Sequence, residues 1–229
     1  MDGLTVLIAV FIALAGAGVW ISLMEARKLG VVFDTLAAKR SGSVHRHAIS
    51  YPELRLRHRG RLVLVTATTG GSSSRSATLV RAWLESGTRG RFEVETKSLG
   101  SKVDGLLKRS MKPVSFESTF SSKLEARAEE PGFLRKILGR EQRSRLLEVA
   151  GRWPARVALR LGPVALRDAE ARSKQPGGQG SHGGAPSKLP AITLLVERVL
   201  TSREDYDLLI DALLAILDRV SDLRPADLA

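Results

Sequence analysis

The hydrophobic pattern divides the chain into an unbroken apolar opening and a long stretch of short, alternating segments. From Gly3 to Met24 no charge interrupts a run of Leu, Ile, Val, Phe and Ala, and Thr5 and Ser22 are its polar members. As a helix these 22 residues rise about 33 Å, enough for a hydrocarbon core of about 30 Å. The pattern therefore predicts a transmembrane anchor over residues 1–24, with Trp20 suited to the headgroup zone. A cleaved signal peptide ending near Ala15-Gly16-Ala17 is the competing reading, and the acidic start Met1-Asp2-Gly3 argues against it. Arg27, Lys28, Lys39 and Arg40 follow the span and only Asp2 precedes it. Positive residues stay inside, which predicts a single-pass protein of the cell membrane with residues 25–229 in the cytoplasm. Ala9, Ala13 and Ala17 recur every four residues, making a small-sided face for pairing with a second copy or a partner membrane protein.

Beyond the opening, Leu29, Val32, Phe33 and Leu36 recur at helical spacing, so residues 25–50 read as a juxtamembrane helix over Glu25–Ala38 and a linker through Ser41-Gly42-Ser43. Strand alternation follows in Pro52–His58 and Arg61–Thr68, joined by an Arg59-Gly60 hairpin turn, then in Ser76–Glu85 and Arg91–Lys97. Their short loops predict a four-stranded antiparallel meander. Residues 98–114 have no clear pattern beyond a helical turn at Val103–Arg109, and Ser115–Ala128 reads as extended. Pro131–Gly139 and Glu141–Ala150 read as a helical pair or one broken helix, and Val157–Leu161 and Val164–Asp168 as two strands around Gly162-Pro163. Residues 170–190 are rich in Gly and Ser and predict a disordered loop inserted in one domain. Ala191–Leu200 resumes as a strand, with a helix as the alternative. Ser202 with Glu204 and Asp205 starts a helix whose Tyr206, Leu209, Ile210, Leu213, Leu217 and Val220 share one face. The expected fold is α+β: an antiparallel sheet with packed helices over residues 51–222, a flexible tail over 223–229, and the transmembrane helix in front.

Composition narrows the class. The 229 residues contain 36 Lys plus Arg against 24 Asp plus Glu, a net charge of +12, 43% hydrophobic residues and no cysteine. Disulfide scaffolds and thiolate zinc sites are excluded, and the charge favours an acidic surface. That charge is unevenly spread. Residues 31–110 carry 15 basic against 6 acidic side chains, and residues 191–229 carry 4 against 8. Arg55, Arg57, Arg59 and Arg61 alternate with Leu54, Leu56 and His58, so with Lys39 and Arg40 they are the candidates for contact with anionic lipid. Nucleic acid is disfavoured because no aromatics interleave the basic stretch for stacking.

Signals for catalysis are weak. His45 and His47 share a strand face, with Glu53 and Asp34 the nearby carboxylates, but a third metal ligand is not assigned and exposed histidines are the preferred reading. The run Thr69–Arg75 lacks the lysine and the following helix of a phosphate loop. No serine lies in a nucleophile elbow, so no catalytic residue and no cofactor is expected. The segment Phe116-Glu117-Ser118-Thr119-Phe120, followed by an extended stretch, the Leu146-Leu147 helix and short strands, resembles uncharacterised bacterial single-pass membrane-anchored proteins with an α+β soluble domain. These carry an F-D-x-x-F segment entering a strand, and Glu117 stands here in place of the Asp. The resemblance covers the element order over most of residues 30–221; it implies a membrane-bound protein and carries over no catalytic residue. The function expected is a membrane-anchored, non-catalytic binding or scaffold protein. The alternative is a membrane-tethered enzyme, which a deep pocket lined by convergent polar groups would favour over a flat basic face. A periplasmic domain of opposite orientation is a second alternative.

Overall fold

Alternation of apolar and polar residues sets the sheet, because each strand sends every second side chain to one buried face. The computed structural model describes residues 3–47, 50–68, 76–84, 90–97, 111–165 and 188–223. Among these residues nine strands, β1 (Ser43–His45), β2 (Glu53–His58), β3 (Arg61–Thr68), β4 (Ala77–Trp83), β5 (Phe92–Thr96), β6 (Lys112–Pro113), β7 (Leu124–Ala128), β8 (Val157–Ala165) and β9 (Lys188–Val196), form one sheet in the order β1-β2-β3-β4-β9-β8-β5-β7-β6. Every pairing is antiparallel. Among the described residues five helices accompany it: α1 (Gly3–Arg40), α2 (Ser118–Lys123), α3 (Pro131–Ile137), α4 (Arg140–Arg152) and α5 (Arg203–Asp222).

The core lies on one side of the sheet. Leu54, Leu56, Val63, Val65, Val80, Ala82, Ile192, Leu194 and Val196 point to it, and α5 lays Tyr206, Leu209, Ile210, Leu213, Ile216, Leu217 and Val220 against them. The second half of α1 contributes Leu29, Phe33 and Leu36. Phe33 meets Tyr206 edge-on, ring centroids 5.0 Å apart, and this contact joins the first helix to the last. Ser202 caps α5 by accepting a hydrogen bond from the Asp205 amide at 3.2 Å, as its position before two carboxylates implies.

The α+β class stands, but the expected transmembrane helix does not: among the described residues no helix is long and apolar enough to cross a membrane. Gly3–Met24 does not form a separate span with its own juxtamembrane helix. It is the beginning of a 38-residue helix whose second half carries charges and belongs to the core of the sheet domain. The single-pass membrane description loses its support with the span.

Strand connectivity departs from the sequence reading in four places. β2, β3 and β4 do form a meander, and the β2–β3 turn at Arg59-Gly60 has positive φ at both residues (47° and 78°), the two-residue turn that matches strand twist. The fourth strand beside β4 is β9, however, and β5 lies between β8 and β7. Loop length limits which strands can be neighbours in a hairpin but does not oblige them to pair. Gly162-Pro163 does not break β8, because Pro163 stands opposite Pro190 and neither residue asks the other for an amide hydrogen. Within Ser115–Ala128 a helical turn, α2, precedes β7, and Ser43–His45, expected as linker, pairs with β2 as β1. The expectations for 98–110, 166–187 and 224–229, with the phosphate-loop question at 69–75, fall outside the described residues.

Candidate functional site

The basic side chains singled out from the sequence are drawn to a line of carboxylates on α5. Asp207, Asp211, Asp218 and Asp222 repeat at spacings of four, seven and four, which keeps them on one flank of the helix. Lys39 Nζ donates to Asp207 at 2.8 Å and Arg40 Nε to the same carboxylate at 2.9 Å, while Arg40 Nη1 reaches Asp211 at 2.8 Å. Burial raises the Asp207 carboxyl, but the hydrogen bonds from Lys39 and Arg40 outweigh it and hold the group below its ordinary value. Arg40, although burial disfavours its charge, is held above its usual range by Asp211 and Asp207. At the other end of α5, His58 Nε2 lies 2.7 Å from Asp218, and Arg59 contacts Asp218 at 2.9 Å and Asp222 at 3.0 Å. Arg61 Nη1 donates to Ser221 Oγ at 2.6 Å. These pairs fix the end of α1 and the β2–β3 turn to the last helix.

An open groove of about 520 Å³ runs between α4 and α5 beside that turn, lined by His58, Gln142, Arg145, Asp211, Asp218 and Arg219 among others. Its polar groups are tied to neighbours: Arg145 to Glu141, Arg219 Nε to the Lys136 carbonyl, and Gln142 Nε2 to the Ala215 carbonyl at 3.3 Å. The arrangement positions helices and offers a polar, shallow surface. Histidines 45 and 47 lie with ring centroids 5.6 Å apart, and His47 Nε2 is 3.5 Å from the buried Glu53. Among the described residues no group of three or more potential ligands is placed to hold a metal ion.

Phe116–Phe120, the segment that carried the resemblance, works as a fastener between α2 and α4. Phe116 meets Phe120 edge-on at 5.1 Å, Phe120 is buried, and the Arg143 guanidinium stands 5.2 Å from the Phe116 ring centroid. Arg143 Nε donates to Glu117 at 2.8 Å, and this hydrogen bond lowers the Glu117 carboxyl below its usual range. Tyr51 donates to Glu25 at 2.8 Å; burial first, and that carboxylate second, push its hydroxyl up to about 12.

Of the residues proposed for anionic contact, Lys39, Arg40, Arg59 and Arg61 converge on α5. Arg55 and Arg57 project from the opposite face of the sheet, Arg55 touching Glu53 at 3.3 Å and Arg57 exposed. The side chains of Ala9, Ala13 and Ala17 lie outside the described residues. Sequence reasoning missed the carboxylate line of α5, although the acidic surplus of residues 191–229 was its signal. It also missed Arg81 and Arg160, charged residues in the middle of apolar strands, which alternation places on the face away from the helices. No protein-family model matches the chain, and no curated protein matches it. The resemblance therefore rests on its own segment.

Proposed function

We propose that the protein is a non-catalytic binding or scaffold module that works against an anionic membrane surface. The observation that carries this reading is the first part of α1. It has no charge from Gly3 to Met24, it leaves Val6, Leu7, Leu23 and Met24 exposed, and Arg27 and Lys28 follow directly. Exposed Val6, Leu7, Leu23 and Met24, set beside basic residues, suit a contact surface better than an ordinary solvent-facing helix. Apolar side chains entering the headgroup layer, with basic groups beside them, give attachment without crossing the bilayer. Each basic side chain near an anionic surface adds about 1 kcal/mol. The engagement of the charged groups around α5 in holding elements together supports a binding role over a catalytic one.

Sedimentation of the full chain with vesicles tests the reading. It should pellet with phosphatidylglycerol-containing vesicles and much less with phosphatidylcholine alone, and Arg27→Glu with Lys28→Glu should weaken the difference. Protein remaining in the supernatant with both vesicles at low salt would sink it.

A further inference from the structure

The charge-free part of α1 exposes apolar side chains at both of its ends, Val6 and Leu7 at one and Leu23 and Met24 at the other. Along one continuous helix these ends lie about 25 Å apart at 1.5 Å per residue. The layer into which an interfacial helix sinks is only about 5–10 Å deep. A helix entering that layer end-on brings in at most about two turns and leaves Leu23 and Met24 in water. Lying in the plane of the layer brings both ends into it at once.

The folded domain then decides which side of the helix faces lipid. Leu29, Phe33 and Leu36 are buried in the core, so their side is taken. With about 100° of rotation per residue, Val31 points about 160° away from Leu29 and Phe33, and it is 67% exposed although it sits in the packed half of α1. The same rotation sets Met24 and Val6 within about 20° of Val31, about two and about seven turns back along the helix. One line of exposed apolar side chains therefore runs from the charge-free part into the folded domain.

Charge on this side is basic. Arg27 and Lys28 flank the line, about 40° to one side and about 60° to the other. Both are exposed, and neither pairs with a carboxylate among the described residues. Asp34, the acidic side chain nearest the line, is neutralised by contact with Arg46. Glu25 points about 120° from Val31, towards the domain, where it accepts a hydrogen bond from Tyr51 at 2.8 Å. We infer that α1 lies in the plane of an anionic membrane, with Val6, Met24 and Val31 in the lipid layer, Arg27 and Lys28 among the headgroups and the sheet behind the helix. The inference rests on the membrane-surface reading and adds the side of the molecule that meets lipid, including Val31, a residue outside the charge-free run.

The chain has no cysteine, so one introduced thiol carries a single environment-sensitive fluorophore. Full-length Val31→Cys labelled with a nitrobenzoxadiazole probe should brighten and shift its emission to the blue on phosphatidylglycerol-containing vesicles, and stay unchanged with phosphatidylcholine alone. The same probe at Arg57→Cys, exposed on the sheet face away from the helices, should not respond. Val31→Glu should keep the melting temperature of the wild type and bind the anionic vesicles about fivefold less tightly. Should that variant melt early, the Val31 probe alone decides. Vesicles that pellet the wild-type chain while the Val31 probe stays unchanged, or while a folded Val31→Glu binds as tightly as the wild type, overturn the inference and leave the membrane-surface reading standing. An equal response at Arg57 also overturns it. So does a blue shift at Val31 that grows with protein concentration and needs no vesicles, because a second copy then covers the line. Failure of the wild type to pellet with either vesicle removes both readings.

Discussion

Phe33 shows how much of the fold hangs on single side chains of α1. It is fully buried and its ring meets Tyr206, so Phe33→Ala removes an aromatic from the centre of the core. The expected cost is about 3–5 kcal/mol, read as a lower urea midpoint. Asp207 predicts a different dependence. Its folded carboxyl is depressed by Lys39 and Arg40, so the stability it lends is fully present above the unfolded carboxylate range and is lost as pH falls through the lower folded value. Asp207→Asn should therefore reduce stability at neutral pH and flatten the loss seen below about pH 4, checked by melting temperature against pH. Residue-scale features with local causes were legible in the sequence. The Ser202 cap needs only its own helix start, and the Arg59-Gly60 turn needs only the two strands it joins. The destination of Arg40 or Arg59 was not legible, because their partners Asp207 and Asp222 lie 167 and 163 residues away.

At the scale of elements, α1 has two parts with different dependence on the domain. Leu29, Phe33 and Leu36 belong to the common core, whereas Val6, Leu7, Leu23 and Met24 are exposed. A chain beginning at Glu25 should melt cooperatively within a few degrees of the full chain, and one beginning at Ser41 should not fold cooperatively, as followed by circular dichroism. Survival of the shorter chain would show that the core contacts of α1 are dispensable. Periodicity made α3, α4, α5 and most strands readable, since each has one buried face. It could not order β5 and β9, because both patterns fit an inner position and the choice depends on which apolar faces complete the core. The transmembrane expectation erred for a related reason: a window of apolar residues does not reveal that the same helix continues into a packed domain.

Across the whole molecule, the charge asymmetry of the sequence becomes a seam. Lys39, Arg40 and Arg59 from the first third of the chain meet the acidic flank of α5, while Arg55 and Arg81 lie on the other sheet face. The two sets should respond differently to salt. Arg40 and Asp207 are each about five-sixths buried (side-chain exposure 16% and 17%), so their attraction is weakly screened, whereas surface contacts with vesicles are strongly screened. Raising salt should therefore release the protein from anionic vesicles while moving the melting temperature little, and a parallel fall in both would contradict this division.

The two outermost strands have a consequence for behaviour at high concentration. β1 offers three residues and β6 two, one of them Pro113, which has no amide hydrogen to give. A broad sheet with long interior strands would ordinarily be a template for stacking copy onto copy, yet its borders are too brief and too poor in donors to recruit another chain. Fibril growth should consequently require the borders to unravel first, and seeding by the intact fold should be ineffective.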